Sequence, residues 1–125
     1  MYNSLEAAQF CAEAADNKKA FDIQLLDLRE LTYIADYFVI CSGSNTAQVG
    51  AICDWISQTL AKADISPSHI EGEAEASWVL MDYGDVIVHI FDEQTRIHYS
   101  LEKLWHDAPR IPVVVQSAAL QSKHA

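Results

Sequence analysis

The sequence predicts one α/β or α+β domain built on a mixed β-sheet of about five strands flanked by helices. Three observations carry that expectation. The 125 residues are 50% hydrophobic, and a chain of this length buries roughly two-thirds of its unfolded surface, enough for a core without staples. Several short runs are apolar on both faces and alternate with amphipathic helices, as strands covered by helices on both sides must do. A tight turn through Tyr83-Gly84 joins two of the strands, which makes part of the sheet antiparallel.

Asn3 caps a first helix, with Glu6 at the reciprocal position of a capping box. Leu5, Ala8, Cys11 (or Ala12) and Ala15 recur at helical spacing on one face. Asn17, Lys18 and Lys19 end it, with cations where the helix dipole favours them. Phe21 to Leu28 alternates loosely and is rich in Ile and Leu, which reads as a strand. Asp36 to Cys41 is a buried strand stopped by Ser42-Gly43-Ser44. A second helix begins near Ser44 or Asn45, carries the stripe Val49, Ile52, Ile56 and Leu60, and ends between Asp64 and Pro67. His69 to Gly72 is a short strand. Ser77 to Asp82 and Val86 to Phe91 are stronger ones, and Gly84 supplies the positive φ their turn needs. Glu93 to Trp105 contributes one or two helical turns. Pro109 and Pro112 interrupt regular structure, so the domain is expected over residues 3–110, with 111–125 a poorly ordered tail.

Charge narrows the function. Eight Lys and Arg stand against 18 Asp and Glu, a formal net charge of −10. Such a surface repels phosphate backbones, so direct binding to DNA or RNA is not expected without a local basic patch. Lys18-Lys19 is the only adjacent basic pair. Between Lys62 and Arg96 there is no Lys or Arg, while Asp64, Glu71, Glu73, Glu75, Asp82, Asp85, Asp92 and Glu93 all fall there. A stretch of one sign suits a basic protein partner, or a solvated face kept for solubility. The cysteines Cys11, Cys41 and Cys53 lack metal-ligand or C-x-x-C spacing and sit among apolar residues, which predicts three reduced, buried thiols. No run of about 18 apolar residues could span a membrane, and the N-terminus has no signal or transit pattern. A cytoplasmic location is expected by elimination.

Catalytic chemistry finds little support. The Ser42-to-Asn45 turn, between a strand and a helix N-terminus, has the geometry of an anion site. It lacks the P-loop and G-x-G-x-x-G patterns, and no Lys follows to meet a phosphate. A nucleotidyltransferase would need two acids one residue apart to hold magnesium. Asp54 lies at a plausible distance, but Ile56 occupies the second acid's place. Asp82, Asp85 and His89 can be drawn as a metal triad, yet strand alternation and the turn oppose three well-aimed ligands. His98 and Glu102, four apart on a helical turn, read as an exposed pair. No catalytic residue, metal or cofactor is therefore expected. More informative is the aromatic set Trp78, Tyr83, Phe91, Tyr99 and Trp105, inside or beside the base-free stretch. Trp and Tyr interleaved with Asp on a hairpin are what a protein-binding patch needs.

Ala35-Asp36-Tyr37-Phe38-Val39-Ile40-Cys41-Ser42-Gly43-Ser44 with Gln48-Val49 resembles the A-D-x-F-V-I-x-S-G pattern of the ribosomal silencing factor (RsfS, Iojap-like) family. The resemblance extends through His69-Ile70-Glu71-Gly72, the run from Trp78 to Phe91, and Tyr99-Ser100-Leu101-Glu102-Lys103-Leu104-Trp105. It covers about Leu5 to Asp107 in the expected order, and nothing carries over to the tail. It implies a nucleotidyltransferase-like mixed sheet without the metal site. It also implies a non-enzymatic repressor that binds the large ribosomal subunit through its protein fourteen and blocks small-subunit joining when nutrients are short. A role in late large-subunit maturation and a homodimer when free are implied as well. The acidic hairpin is the natural surface for a basic ribosomal protein, which points to Trp78, Leu80, Asp82, Tyr83, Asp85 and His89 as contacts. Phe91 and Trp105 would support that surface from below. Alternation puts Trp78, Leu80 and Asp82 on one face and Val79, Met81 and Tyr83 on the other. The alternative function is a nucleotidyltransferase-like nucleotide-binding protein using the Ser42-to-Asn45 turn.

Overall fold

A computed structural model describes residues 2–114. Its elements in chain order are α1 (Ser4–Asn17), β1 (Phe21–Asp27), β2 (Tyr37–Gly43), α2 (Thr46–Ala61), β3 (His69–Glu71), β4 (Trp78–Asp82), β5 (Val86–Asp92), α3 (Glu93–Tyr99), α4 (Leu101–Leu104) and β6 (Arg110–Ile111). The sheet runs β3-β4-β5-β2-β1-β6. β2 and β5 are parallel and every other neighbouring pair is antiparallel.

The local signals act as expected. Asn3 Oδ1 accepts from the Glu6 N–H at 2.8 Å, and the Asn3 N–H donates in return to Glu6 Oε1 at 3.1 Å. That reciprocal cap satisfies donors the first helical turn would otherwise leave open. Ala8, Cys11, Ala12, Ala14 and Ala15 are all fully buried along α1. Such small side chains let it lie close to the sheet and to α2, whose buried stripe is Val49, Ile52, Cys53, Ile56 and Leu60.

Two cores result. Residues of one sheet face, among them Leu25, Val39, Cys41, Val79, Met81, Val88 and Ile90, join α1 and α2 in the larger core. The other face supplies Leu26, Leu28, Phe38, Ile40 and Phe91, on which Leu101 and Trp105 pack. β2 contributes to both, so all seven of its residues are buried. Each large apolar side chain so enclosed contributes about 1.5–3 kcal/mol relative to exposure. The three thiols are free and buried. Burial pushes Cys41 and Cys53 up to about 12 and raises Cys11 further, with the neighbouring Cys41 adding to it.

The sheet has six strands rather than about five. The sixth, Arg110–Ile111, pairs with Leu25 and Leu26 of β1. Two residues between prolines carry no alternation that a pattern could register. Past it, Gln9 Nε2 donates to the Pro112 carbonyl at 3.0 Å, and the Val114 N–H donates to Gln9 Oε1 at 2.9 Å. The remainder of the expected tail, 115–125, lies outside the described residues.

Candidate functional site

β4 divides its side chains between the two layers. Val79 and Met81 enter the α1–α2 core, and half-buried Trp78, Leu80 and Asp82 stand on the opposite face. Pairing extends that face across three strands. Trp78 lies opposite Phe91, Leu80 opposite His89, and Asp82 opposite Ile87. On the outer side β3 adds His69 beside Asp82 and Glu71 beside Leu80. The result is a strip of exposed or half-buried His69, Glu71, Leu80, Asp82, Trp78 and Ile87.

Trp78 is held by its surroundings. Its ring stacks on Phe91 with centroids 4.9 Å apart and meets Tyr99 of α3 at 4.8 Å. Its Nε1–H donates to His89 Nδ1 at 3.1 Å. An imidazole accepting at Nδ1 carries its proton on Nε2, and that nitrogen is sealed without a hydrogen-bond partner among the described residues. The ring of Phe38 packs edge-on against the imidazole at 4.6 Å. His89 is 4% exposed, so it positions Trp78 rather than presenting itself to a partner.

Burial lowers the His89 pKa from an ordinary 6.5 to about 4. The folded state therefore resists protonation that the unfolded chain accepts, so the stabilisation is intact above pH 6.5 and is lost as pH falls towards 4. At 1.36 kcal/mol per unit, about 2–3 kcal/mol should disappear between pH 7 and pH 4.5. Denaturant midpoints measured across that interval should show the fall in the native protein, and a reduced one in His89→Gln.

Asp82 and Asp85 occupy the β4–β5 turn. Asp82 Oδ1 accepts from the Gly84 N–H at 2.8 Å, and Gly84 has the positive φ of 87° the turn requires. The Asp85 side chain is exposed while its carbonyl accepts from the Asp36 and Tyr37 N–H groups at 2.8 and 3.0 Å. Tyr83 lies away from the strip. It packs against the α1–α2 core with its hydroxyl sealed, and burial raises its pKa. Of the six residues expected to share a contact surface, the structure brings Trp78, Leu80 and Asp82 onto one face, Asp85 to its rim, and His89 beneath it. Tyr83 belongs to the other layer. His89 takes Trp78 as its partner, so Asp82, Asp85 and His89 make no metal triad.

α3 borders the strip through Tyr99 and leads into α4. Asp92 Oδ1 caps α3 by accepting from the Thr95 N–H at 2.8 Å. Ser100, at φ +46°, breaks the run into two short helices. That break separates His98 from Glu102, and the expected pair does not form. Glu102 instead binds Arg96, whose Nη1 donates to Ser42 Oγ at 2.8 Å. This partly buried guanidinium ties α3, α4 and the end of β2 together. Ile97 and Leu104 are left 72% exposed and Tyr99 54%. Ile97 lines a cleft with Phe21, Asp22 and Gln24 on the β1 side, away from the strip.

The Ser42-to-Asn45 turn has its polar groups engaged within the chain. Ser42 Oγ receives Arg96, and the Ser44 N–H and hydroxyl both donate to Gln48 Oε1 at 2.6 Å. Asn45 Oδ1 caps α2 through the Gln48 N–H at 2.8 Å. Asp54 lies exposed on α2 beside the buried Ile56. It groups with Cys53 and Glu73, whose ligand atoms all lie within 4.8 Å of one another. Burial, with the neighbouring Glu73 and Asp54 carboxylates, holds the Cys53 thiol protonated, up at about 12. No helix among the described residues is long and apolar enough to cross a membrane.

Comparison with known proteins agrees with this geometry. The family model described as "Ribosomal silencing factor during starvation" matches residues 2–125. Ribosomal silencing factor RsfS of Bacillus subtilis is 44% identical over 107 residues, covering 86% of this chain and 91% of that protein. Its counterpart in Halalkalibacterium halodurans is 41% identical over 106 residues, covering 85% and 91%. A crystal structure of a Chromobacterium violaceum protein superposes with a TM-score of 0.82 at 30% identity, covering 84% of this chain and 88% of that one. A match along nearly the whole length, on the same sheet and helices, shows that the chain belongs to the ribosomal silencing factor family.

Proposed function

We propose that this chain is a non-enzymatic translational repressor that docks the β3–β4–β5 strip on protein fourteen of the large ribosomal subunit and blocks small-subunit joining. The observation that carries this reading is the placement of Trp78, Leu80 and Asp82 on one open face. That face lies within the base-free stretch and is bordered by the exposed Tyr99, whose ring meets Trp78. The names of its relatives support the ribosome as the site of action.

The division of labour follows from exposure. Trp78, already immobilised by Phe91, Tyr99 and His89, offers a large anchor that loses little further rotamer freedom on binding. Leu80 and Ile87 extend the apolar contact. Asp82 and Asp85 meet Lys and Arg of the basic partner, raising the association rate and setting the register. Tyr83 serves from the opposite layer by seating the hairpin on the helices. Repression under nutrient limitation, late large-subunit maturation and a homodimer when free complete the proposal.

The double charge reversal Asp82→Lys/Asp85→Lys should weaken binding to large subunits by about tenfold or more at physiological salt. Co-sedimentation with purified subunits measures this, with circular dichroism as the control for folding. A folded variant that pellets as the native protein does would remove the hairpin from the interface.

A further inference from the structure

Glu73 is distant from α2 in sequence but is folded onto it. It sits in the turn between β3 and β4, where the Ala76 N–H donates to the Gly72 carbonyl at 2.8 Å. Ala76 is buried in the α1–α2 core, which anchors the turn there and brings Glu73 to Cys53 and Asp54 of α2. One carboxylate oxygen of each acid and the Cys53 Sγ all lie within 4.8 Å of one another.

Cys53 sets this cluster apart from a pair of surface acids. The residue is 2% exposed, carries a free thiol and has no hydrogen-bond partner among the described residues. Both carboxylates beside its sulfur are exposed, so a cation arriving from solvent meets all three groups. Neither carboxylate forms an ion pair among the described residues. Lys18 and Lys62 keep their ammonium groups over the Trp55 ring, 4.8 and 5.9 Å from its centroid. Burial raises the thiol most, and Glu73 and Asp54 add to it. The charge around the sulfur is therefore of one sign, and it selects a cation.

We propose that Cys53, Asp54 and Glu73 form a binding site for a zinc ion. A thiolate and two carboxylates are ligands that zinc accepts, with water completing the tetrahedron. The sulfur discriminates against magnesium and calcium, which take oxygen ligands. Ligand atoms around zinc stand roughly 3.3–3.6 Å apart, so the exposed carboxylates close in by about 1 Å through side-chain rotation. The thiol proton passes to solvent as the zinc–sulfur bond forms. Two ligands are adjacent on α2 and the third comes from the β3–β4 turn, so the ion cross-links turn and helix.

Calorimetric titration of the full chain with zinc chloride tests the site. One ion per chain is expected, with a dissociation constant on the order of 10 μM. One proton should be released, read from the dependence of the heat on the buffer's ionisation enthalpy. Cadmium chloride should give the ultraviolet charge-transfer band of a cadmium–thiolate bond, and amide NMR shifts should centre on Cys53, Asp54 and Glu73. Losing a group that merely supports a metal ligand costs roughly 10–100-fold in affinity. Cys53→Ser and the exposed substitution Glu73→Gln should therefore each weaken zinc binding by at least about tenfold, and Cys53→Ser should also remove the band. Several results would overturn the proposal: unchanged zinc affinity in Glu73→Gln, a cadmium complex without the thiolate band, or equal competition by magnesium. Shifts centred instead on the exposed His69–Glu71 pair, or no binding up to about a millimolar zinc, would do the same.

Discussion

Phe91→Ala should lower the stability of the fold by about 4 kcal/mol, with a fall in Tm on the order of 15 °C. Phe91 is completely buried in the second core, between β2 and the underside of Trp78, on which it stacks at 4.9 Å. Removing the ring opens a cavity that rigid β-sheet neighbours cannot close, so the transfer and cavity terms add. Guanidinium denaturation would measure the loss, and a value under about 2 kcal/mol would mean that Trp78 or Trp105 collapses into the space. Near-ultraviolet dichroism should report the same event locally, because Trp78 loses its supporting ring.

Gly72→Ala should cost about 3 kcal/mol and disturb the same place from the other side. Gly72 has φ +87°, and a methyl group there would stand 2.1 Å from the Trp78 carbonyl oxygen. The left-handed backbone and the clash are separate penalties, each of order 1–3 kcal/mol. The obstacle is backbone, so no rotamer change relieves it. Thermal unfolding measures the destabilisation. Binding to large subunits should fall more steeply than for a control substitution of equal destabilisation in α1, since Trp78 is displaced directly. Equal losses of binding in the two variants would leave the effect a global one.

How much of this was legible beforehand depended on whether the cause was local. The capping box of Asn3 and Glu6, the wholly apolar β2 and the in-out alternation of β4 are consequences of neighbouring residues, and all three emerge as expected. Alternation also separates Tyr83 from Trp78, Leu80 and Asp82, so the contact set that the sequence suggests divides between two faces. What the pattern could not show depends on distant partners. Arg96 reaches Ser42 across 54 positions, and Trp78 meets His89 only because the hairpin register places them together. The break at Ser100 was hidden because a serine with positive φ looks like any helical serine. It separates His98 from the Glu102 that spacing had offered it.

The parallel pairing of β2 with β5 has a consequence for how the chain is made. Tyr37 finds its partner Val86 and Gly43 its partner Asp92, so each contact closes a span of 86 − 37 = 49 residues. At synthesis rates of about 5–20 residues per second, β2 waits roughly 2–10 s for its central neighbour to emerge. During that interval an apolar strand has β1 on one edge and nothing on the other, the condition under which strands recruit the wrong chain. Early docking of α1 and β1 covers one face, but only the late hairpin seals the exposed edge. The hairpin that bears Trp78, Leu80 and Asp82 is thus also the piece whose arrival ends the risk of aggregation for the nascent protein.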